Sequence, residues 1–360
     1  METHVPQTLQ QAVLYFADPN NCLEFIKMLR WPNGVTCPKC GCQRCTYIKS
    51  RQLFICRQCK KNFSLKVGTI FEKSQIPLDK WLLTMWLVCN CKNGISSWEV
   101  ARDIGVTQKT AWFMCHRIRT AMHCGSFEKM TGTVEADETF IGGKARNMHK
   151  GKRKVRGSGV VGKSVVMGLL DRHGEVRVRH IKGTKKRQIE AQVKEHVEPG
   201  SELFTDSLAS YTGLSKEYVH AFVNHAEKYV DGRVHTNGLE NFWSLLKRGL
   251  KGTYVCVQPF HLFRYLDEEA FRFNKRDRGD QQRFIEGMAG TVGKRLTYRH
   301  LIDRDEVDPL ESKRGPKRPN VKKDESLDDL VAEIIGSFPT PEEFERLSGP
   351  ENGKVVADEI

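Results

Sequence analysis

The chain has 360 residues, 39% of them hydrophobic and 28% charged, with a formal net charge of +14. These fractions belong to a soluble protein long enough for two or three domains with cores of ordinary size. No apolar run approaches the roughly 18 residues of a membrane span, and the first residues lack the basic stretch, apolar core and cleavage site of an export signal, so a membrane or secreted protein is not expected and the cytoplasm is.

The charge is unevenly spread. Residues 324–360 hold 11 acids and 2 basic residues, which leaves +23 on residues 1–323. A basic body of that size is the electrostatic footprint of a polyanion binder. Twelve cysteines without an export signal point to metal binding by the closely paired ones rather than to a disulfide framework.

In chain order, residues 1–34 carry apolar positions Leu14, Phe16, Leu23, Phe25, Ile26 and Leu29, which predict one or two short helices before the turn signal WPNG. Residues 35–65 hold two CxxC knuckles, CPKC at 37–40 and CRQC at 56–59, fifteen residues apart. Each knuckle presents two thiolates from one side, and this spacing is that of a zinc ribbon. Cys37, Cys40, Cys56 and Cys59 are the expected ligands of a structural Zn2+, with TYIKSRQLFICRQC forming a hairpin between and around them. GCQRC is itself a CxxC, so exchange of one pair for Cys42 and Cys45 is the alternative. A closed four-thiolate site leaves no open position for chemistry. Cys22, Cys89, Cys91, Cys115, Cys124 and Cys256 have no partner spacing and read as small buried apolar residues.

Residues 76–123 read as helical, with breaks at Asn93-Gly94 and Gly105. Ser96 or Ser97 can cap a helix that turns Val100, Ala101 and Ile104 inward; Gly105 sits at a tight turn, and Thr107 can cap a second helix. This is the grammar of a helix-turn-helix, which would bring Gln108, Lys109 and Thr110 to the edges of DNA bases. An ordinary helical hairpin has the same local pattern.

From residue 131 the pattern changes to strands. TVEADETFIGG, SVVMGLLD and EVRVRHI are followed by a helix near residues 186–196, the strand ELFTD, a further helix-strand stretch, the helical run HTNGLENFWSLLKRG and a core helix at 260–275. Neighbouring strands followed by alternating helix and strand predict a mixed sheet with helices packed on it. Three acids stand out: Asp137 within the first strand, Asp206 at the end of the fourth, and Glu240 in the helical run. Carboxylates converging from different elements can hold two hard divalent cations across a scissile phosphodiester. Side chains alternate along a strand, so Glu135 shares a face with Asp137 while Glu138 points away; spacing alone does not choose among the three. Lys247 lies seven residues after Glu240 and returns to the same helical face, placed to contact phosphate. Asn237 is the rival third ligand.

Residues 144–163 contain eight Lys or Arg and no acid; Lys150, Lys152, Arg153, Lys154 and Arg156 within them, and Arg248 on the active-site helix, are candidate phosphate contacts. A solubilising loop is the plainer reading. His225 and His235 are candidates to orient a phosphate or water, though a lone histidine is more often structural. Phe242 and Trp243 read as core. Residues 303–360 form a charged linker and an acidic tail, with one short helix possible at SLDDLVAEIIGSF.

The runs DETFIGGK at 137–144, FTD at 204–206, NHAEKYV at 224–230, HTNGLENFWSLLKRGLKGTY at 235–254 and HLFRYLDEEAFRFNKR at 261–276, with the upstream CPKC and CRQC, resemble IS1595-type (ISXO2-like) insertion-sequence transposases over residues 15–280. The resemblance implies a zinc ribbon at 35–65 and a ribonuclease H-like catalytic domain at 131–280; the helix-turn-helix-like module at 76–123, read from its own residues, lies between them. It implies Asp137 and Asp206 as the first two catalytic acids and leaves Glu240 and Asn237 both open as the third; Glu240 is favoured because a carboxylate binds Mg2+ better and shares the face of Lys247. Two Mg2+ (or Mn2+) ions, terminal inverted repeats and target DNA, and a homo-oligomer assembled on DNA are the implied cofactors and partners. A catalytically silent DNA-binding regulator and a nuclease without strand transfer are the alternatives.

Overall fold

The computed structural model describes residues 5–123, 128–143, 162–172, 174–206, 209–223 and 234–302. Two short helices open the chain, α1 (Leu9–Phe16) and α2 (Pro19–Arg30). Thr8 caps α1 in a reciprocal box with Gln11, and Asp18 caps α2 ahead of a proline at its first position, where a missing N–H costs nothing. The expected hairpin follows: β1 (Cys45–Ile48) and β2 (Leu53–Cys56) pair antiparallel, and β3 (Asn62–Phe63) adds a third strand.

Residues 76–123 fold as three helices, α3 (Leu78–Asn90), α4 (Ser97–Asp103) and α5 (Gln108–Met122). Ser96 is the cap of α4, completed by Glu99, and Thr107 caps α5. Gly105 turns between them at φ +62°, a left-handed conformation that side chains resist.

The second half is a five-stranded mixed sheet built from β4 (Thr133–Ile141), β5 (Ser164–Asp171), β6 (Val176–Ile181), β7 (Glu202–Asp206) and β8 (Val219–Val223). Its order is β6-β5-β4-β7-β8. The first three strands form an antiparallel meander, while β7 and β8 run parallel to β4. This is the ribonuclease H-like mixed arrangement expected from the sequence. Helix α6 (Lys186–His196) supplies the crossover from β6 to β7 and packs Ile189 and Val193 with Leu203 and Tyr211 on one face. The other face is covered by α7 (Asn237–Arg248) and α8 (Leu262–Asn274), through Leu239, Phe242, Trp243, Leu246, Leu262 and Leu266. A π turn (Gly249–Thr253) and a 3-10 turn (Pro259–His261) connect these two helices.

Two further helices follow that the sequence reading did not anticipate, α9 (Asp280–Ala289) and α10 (Tyr298–Ile302). Glycines at 279, 287 and 290 interrupt the apolar pattern there. Helix α9 does not pack on the mixed sheet. Phe284, Ile285 and Met288 join one core with Phe16, Phe25, Trp81, Met85 and Trp86 from the N-terminal helices. Phe284 meets the rings of Phe16, Phe25 and Trp86 at 5.8, 5.5 and 5.1 Å. Backbone bonds seal this closure: Ile70 N donates to Thr291 O, and Gly293 N to Gly68 O.

Candidate active site

The cysteines are the tightest ligand group. Cys37, Cys40, Cys56 and Cys59 have all four Sγ atoms within 4.8 Å of one another. Cys37 Sγ lies 3.7 Å from that of Cys59, and Cys40 Sγ 3.5 Å from that of Cys56. Thiolates about 2.3 Å from a tetrahedral zinc would lie about 3.8 Å apart, so the donor set fits Zn2+. The backbone N–H of Cys59 lies 3.5 Å from Cys56 Sγ and helps lower that thiol to about 6 against the opposing effect of burial. Cys42 and Cys45 stand outside this group, so the exchange alternative is not adopted.

The acids are arranged by the strands. The parallel pairing ends with Glu135 opposite Phe204; Asp137 and Asp206 each follow two residues on, close enough for the Asp206 charge to act on Asp137. Strand β7 ends at Asp206 while β4 continues to Ile141. The sheet therefore opens at the carboxyl ends of the parallel pair, where α/β sheets commonly receive ligands.

Both carboxylate oxygens of Asp137 accept a hydrogen bond. Oδ1 takes the backbone N–H of Glu138 at 2.8 Å, and Oδ2 takes the indole N–H of Trp243 at 2.9 Å. Burial nevertheless raises the Asp137 carboxyl to about 6; the two donors oppose the shift, and the charges of Asp206 and Glu240 add to it. Glu240 lies in the first turn of α7, three residues before Trp243, and Lys247 in its last turn. Burial depresses the Lys247 ammonium while Asp137 supports it, so this lysine also belongs to the site. Asp137, Asp206, Glu240 and Lys247 thus share one electrostatic neighbourhood. Their spacing is looser than that of the cysteines, which form the one group of three or more such ligands drawn within 4.8 Å among the described residues. Carboxylates repel one another, and two metal ions themselves stand about 3.5–4 Å apart, so ligands on opposite sides of a pair are wider than one ion's shell.

The other acids of the first strand separate by face. Glu135 is buried and accepts from Arg172 Nε at 2.9 Å and from the Leu239 backbone N–H at 3.1 Å. It shares the face of Asp137, as alternation predicts, but it holds down the start of α7. Glu138 points to the opposite face and accepts from the Tyr211 hydroxyl at 2.7 Å. Burial raises it to about 7; Tyr211 opposes this, while Asp206 and Asp137 add to it. His235 bonds to Arg172 and lies 3.4 Å from Glu135, which gives it a structural place beside the first turn of α7. Asn237 and Arg248 are exposed at the two ends of α7.

At the start of α5, Gln108 Nε2 donates to Ser97 Oγ at 2.9 Å, the Thr110 hydroxyl pairs with that of Thr107 at 2.8 Å, and the Lys109 ammonium stands 5.0 Å from the Tyr298 ring centre. The rest of α5 is largely buried, Arg117 and Arg119 included, so its N-terminal turn is what remains to face a partner. Lys150, Lys152, Arg153, Lys154, Arg156 and His225 lie outside the described residues, as do Cys124 and the tail from 303 onward. Among the described residues no helix is long and apolar enough to cross a membrane.

Sequence reasoning missed two partners of the acids. Trp243 was assigned to the core; it is buried there, yet its one polar atom holds Asp137. Its position three residues after Glu240, on the same helical face, was the available signal. Tyr211 carried none, because its bond to Glu138 spans 73 residues.

Residues 129–274 match the family model described as an ISXO2-like transposase domain. The chain carries a transposase domain. Residues 18–62 match a transposase zinc-ribbon domain, in agreement with the cysteine geometry. A relative from Halobacterium salinarum, described as an uncharacterized protein in transposable element ISH50, is 27% identical over 250 residues, covering 65% of this chain and 84% of the relative. The acids Asp137 and Asp206, Glu240 and Lys247 all fall within the matched transposase domain.

Proposed function

We propose that this transposase cuts DNA at the ends of an insertion sequence and joins the freed 3′ end to a target strand. The observation that carries the reading is the proximity of Asp137 and Asp206 at the opened carboxyl ends of parallel strands, with Glu240 of α7 sharing their field. Burial of Asp137 among like charges makes the pocket short of positive charge, which suits hard divalent cations. Mg2+ or Mn2+ bound by Asp137, Asp206 and Glu240 would supply activation of a water or 3′-hydroxyl and stabilisation of the leaving oxygen.

The remaining work falls to the chain. Lys247 contacts a phosphate oxygen next to the reacting group. The N-terminal turn of α5, with Gln108, Lys109 and Thr110, reads the terminal repeat. Lys150, Lys152, Arg153, Lys154, Arg156 and Arg248 hold flanking phosphates, so binding weakens as salt rises. The zinc ribbon folds its module and takes no part in the chemistry. Two ends are joined in one event, so a homo-oligomer acts on DNA. Two Mg2+ or Mn2+ ions and an action in the cytoplasm, at the nucleoid, complete the reading.

The test is joining of a pre-cut repeat end to plasmid DNA in Mg2+. Asp137→Asn and Asp206→Asn are each expected to abolish nicking and joining while repeat binding persists. Full joining by either variant overturns the proposal. A wild-type protein that binds and does nothing more is a regulator, and one that nicks without joining is a nuclease. Loss of activity in Glu240→Gln with retention in Asn237→Ala identifies Glu240 as the third ligand, and the reverse pattern identifies Asn237.

A further inference from the structure

We propose that Trp243 is the positioning residue of the cation site: its indole N–H aligns the Asp137 carboxylate with the face of α7 that carries Glu240. The inference rests on the reading of Asp137 as a metal ligand.

The geometry leaves Asp137 little freedom. One oxygen is tied by the next backbone N–H at 2.8 Å and the other by Trp243 Nε1 at 2.9 Å. Two donors on two oxygens fix both the rotation and the tilt of the carboxylate plane, and each oxygen keeps a lone pair for a cation. A donor that orients a ligating carboxylate without touching the ion acts as outer-shell partners of metal sites do.

The indole reaches that point because β5 makes room for it. Gly168 is paired in register with Asp137. A Cβ built on Gly168 would stand 2.7 and 2.8 Å from Trp243 ring carbons and 2.9 Å from Leu239 Cδ2. The strand thus lacks a side chain where the ring lies over it. Trp243 is almost fully buried, and Phe242 stacks edge-on to it at 5.2 Å, so the ring is held without needing the Asp137 bond for packing. Glu240 is three residues before Trp243 and Lys247 four after, which places all three on one side of α7. Packing and the Glu135 contact to the Leu239 N–H hold α7 in place, and the bond from Trp243 then aligns the strand-borne Asp137 carboxylate with the groups that helix carries.

The test uses the full chain with Mn2+ as the probe. Trp243→Phe keeps the ring in the gap over Gly168 and removes the donor. The expected result is a rise of about tenfold in the Mn2+ concentration for half-maximal joining, matched by a similar loss in direct Mn2+ binding measured by calorimetry without DNA. Repeat affinity is expected to stay at the wild-type value. An unchanged Mn2+ dependence in both measurements overturns the inference. If Trp243→Phe does not fold, the wild-type protein still decides. One indole N–H resonance is expected to move when Mg2+ is added, and to be displaced already in Asp137→Asn; no indole resonance responding to Mg2+ overturns the inference. Loss of Mn2+ binding and joining in Asp137→Asn alongside wild-type behaviour of Trp243→Phe removes this inference alone. Retention of both in Asp137→Asn removes the catalytic reading beneath it.

Discussion

Asp137 and Glu138 leave β4 on opposite faces, yet the charge of Asp206 reaches both. Glu138 has its carboxyl raised by burial to about 7, above its ordinary 4.5. A carboxyl raised in the folded state binds a proton there that the unfolded chain has already released. Stability from this group is therefore lost as pH rises from 4.5 through about 7. Glu138→Gln keeps an acceptor for Tyr211 and removes the titration. In metal-free protein the stability of Glu138→Gln relative to wild type is expected to climb across that window, toward a difference on the order of 3 kcal/mol, seen as a rising relative melting temperature. A constant difference from pH 4 to 8 in thermal melts would count against it. At this scale the sequence was legible where residue type and spacing coincide, as in the two CxxC knuckles and the order of the acids. It was not legible between Glu135 and Asp137, which share a face. Only the Arg172 and Leu239 contacts, from residues far along the chain, tie Glu135 to the start of α7.

The elements that hold the helical module and the mixed sheet together are α5 and α8. Arg119 on α5 and Arg272 on α8 both pair with Glu268, which is completely buried, and Arg272 also pairs with Glu269. The Tyr254 hydroxyl donates to Glu268 as well. Burial alone would raise the Glu268 carboxyl, but Arg272 and Arg119 outweigh it and hold it at about 2. Glu268→Gln takes the counter-charge from Arg119 in the interior and leaves Arg272 with Glu269 alone. It is expected to cost about 3 kcal/mol or more, read as a lower denaturant midpoint with an unchanged slope. Caps and turns of these helices were readable, since Ser96, Gly105 and Thr107 act through neighbours in sequence. The network was not. LFRYLDEEAFRFN reads as a core helix, but nothing local names the partners of its acids, and the α5 arginine that pairs with Glu268 stands 149 residues earlier.

Across the whole molecule the mixed sheet lies, in chain order, between two parts of one helical body. The N-terminal helices precede it and α9 follows it, and the two close on each other through Phe284 and the Thr69–Val292 bridge. A chain ending at residue 279 would uncover Phe16, Phe25 and Trp86 together. It is expected to bind a hydrophobic dye, to lose its sharp melting transition and to lose repeat binding, although the matched transposase domain at 129–274 remains complete. A truncated chain that melts like the full protein would show that α9 is dispensable. The sheet was foreseen from its alternating strands. The closure was not, because an apolar face records that it needs covering and not which distant segment covers it.

That closure sets a timetable for synthesis. A ribosome delivers the N-terminal helices early, but the segment that completes their core includes residue 293. The emerging head of the chain must wait, partly open, while the intervening sheet is made and folds as its own unit. A nascent protein would thus complete its helical body only after its transposase domain has been translated.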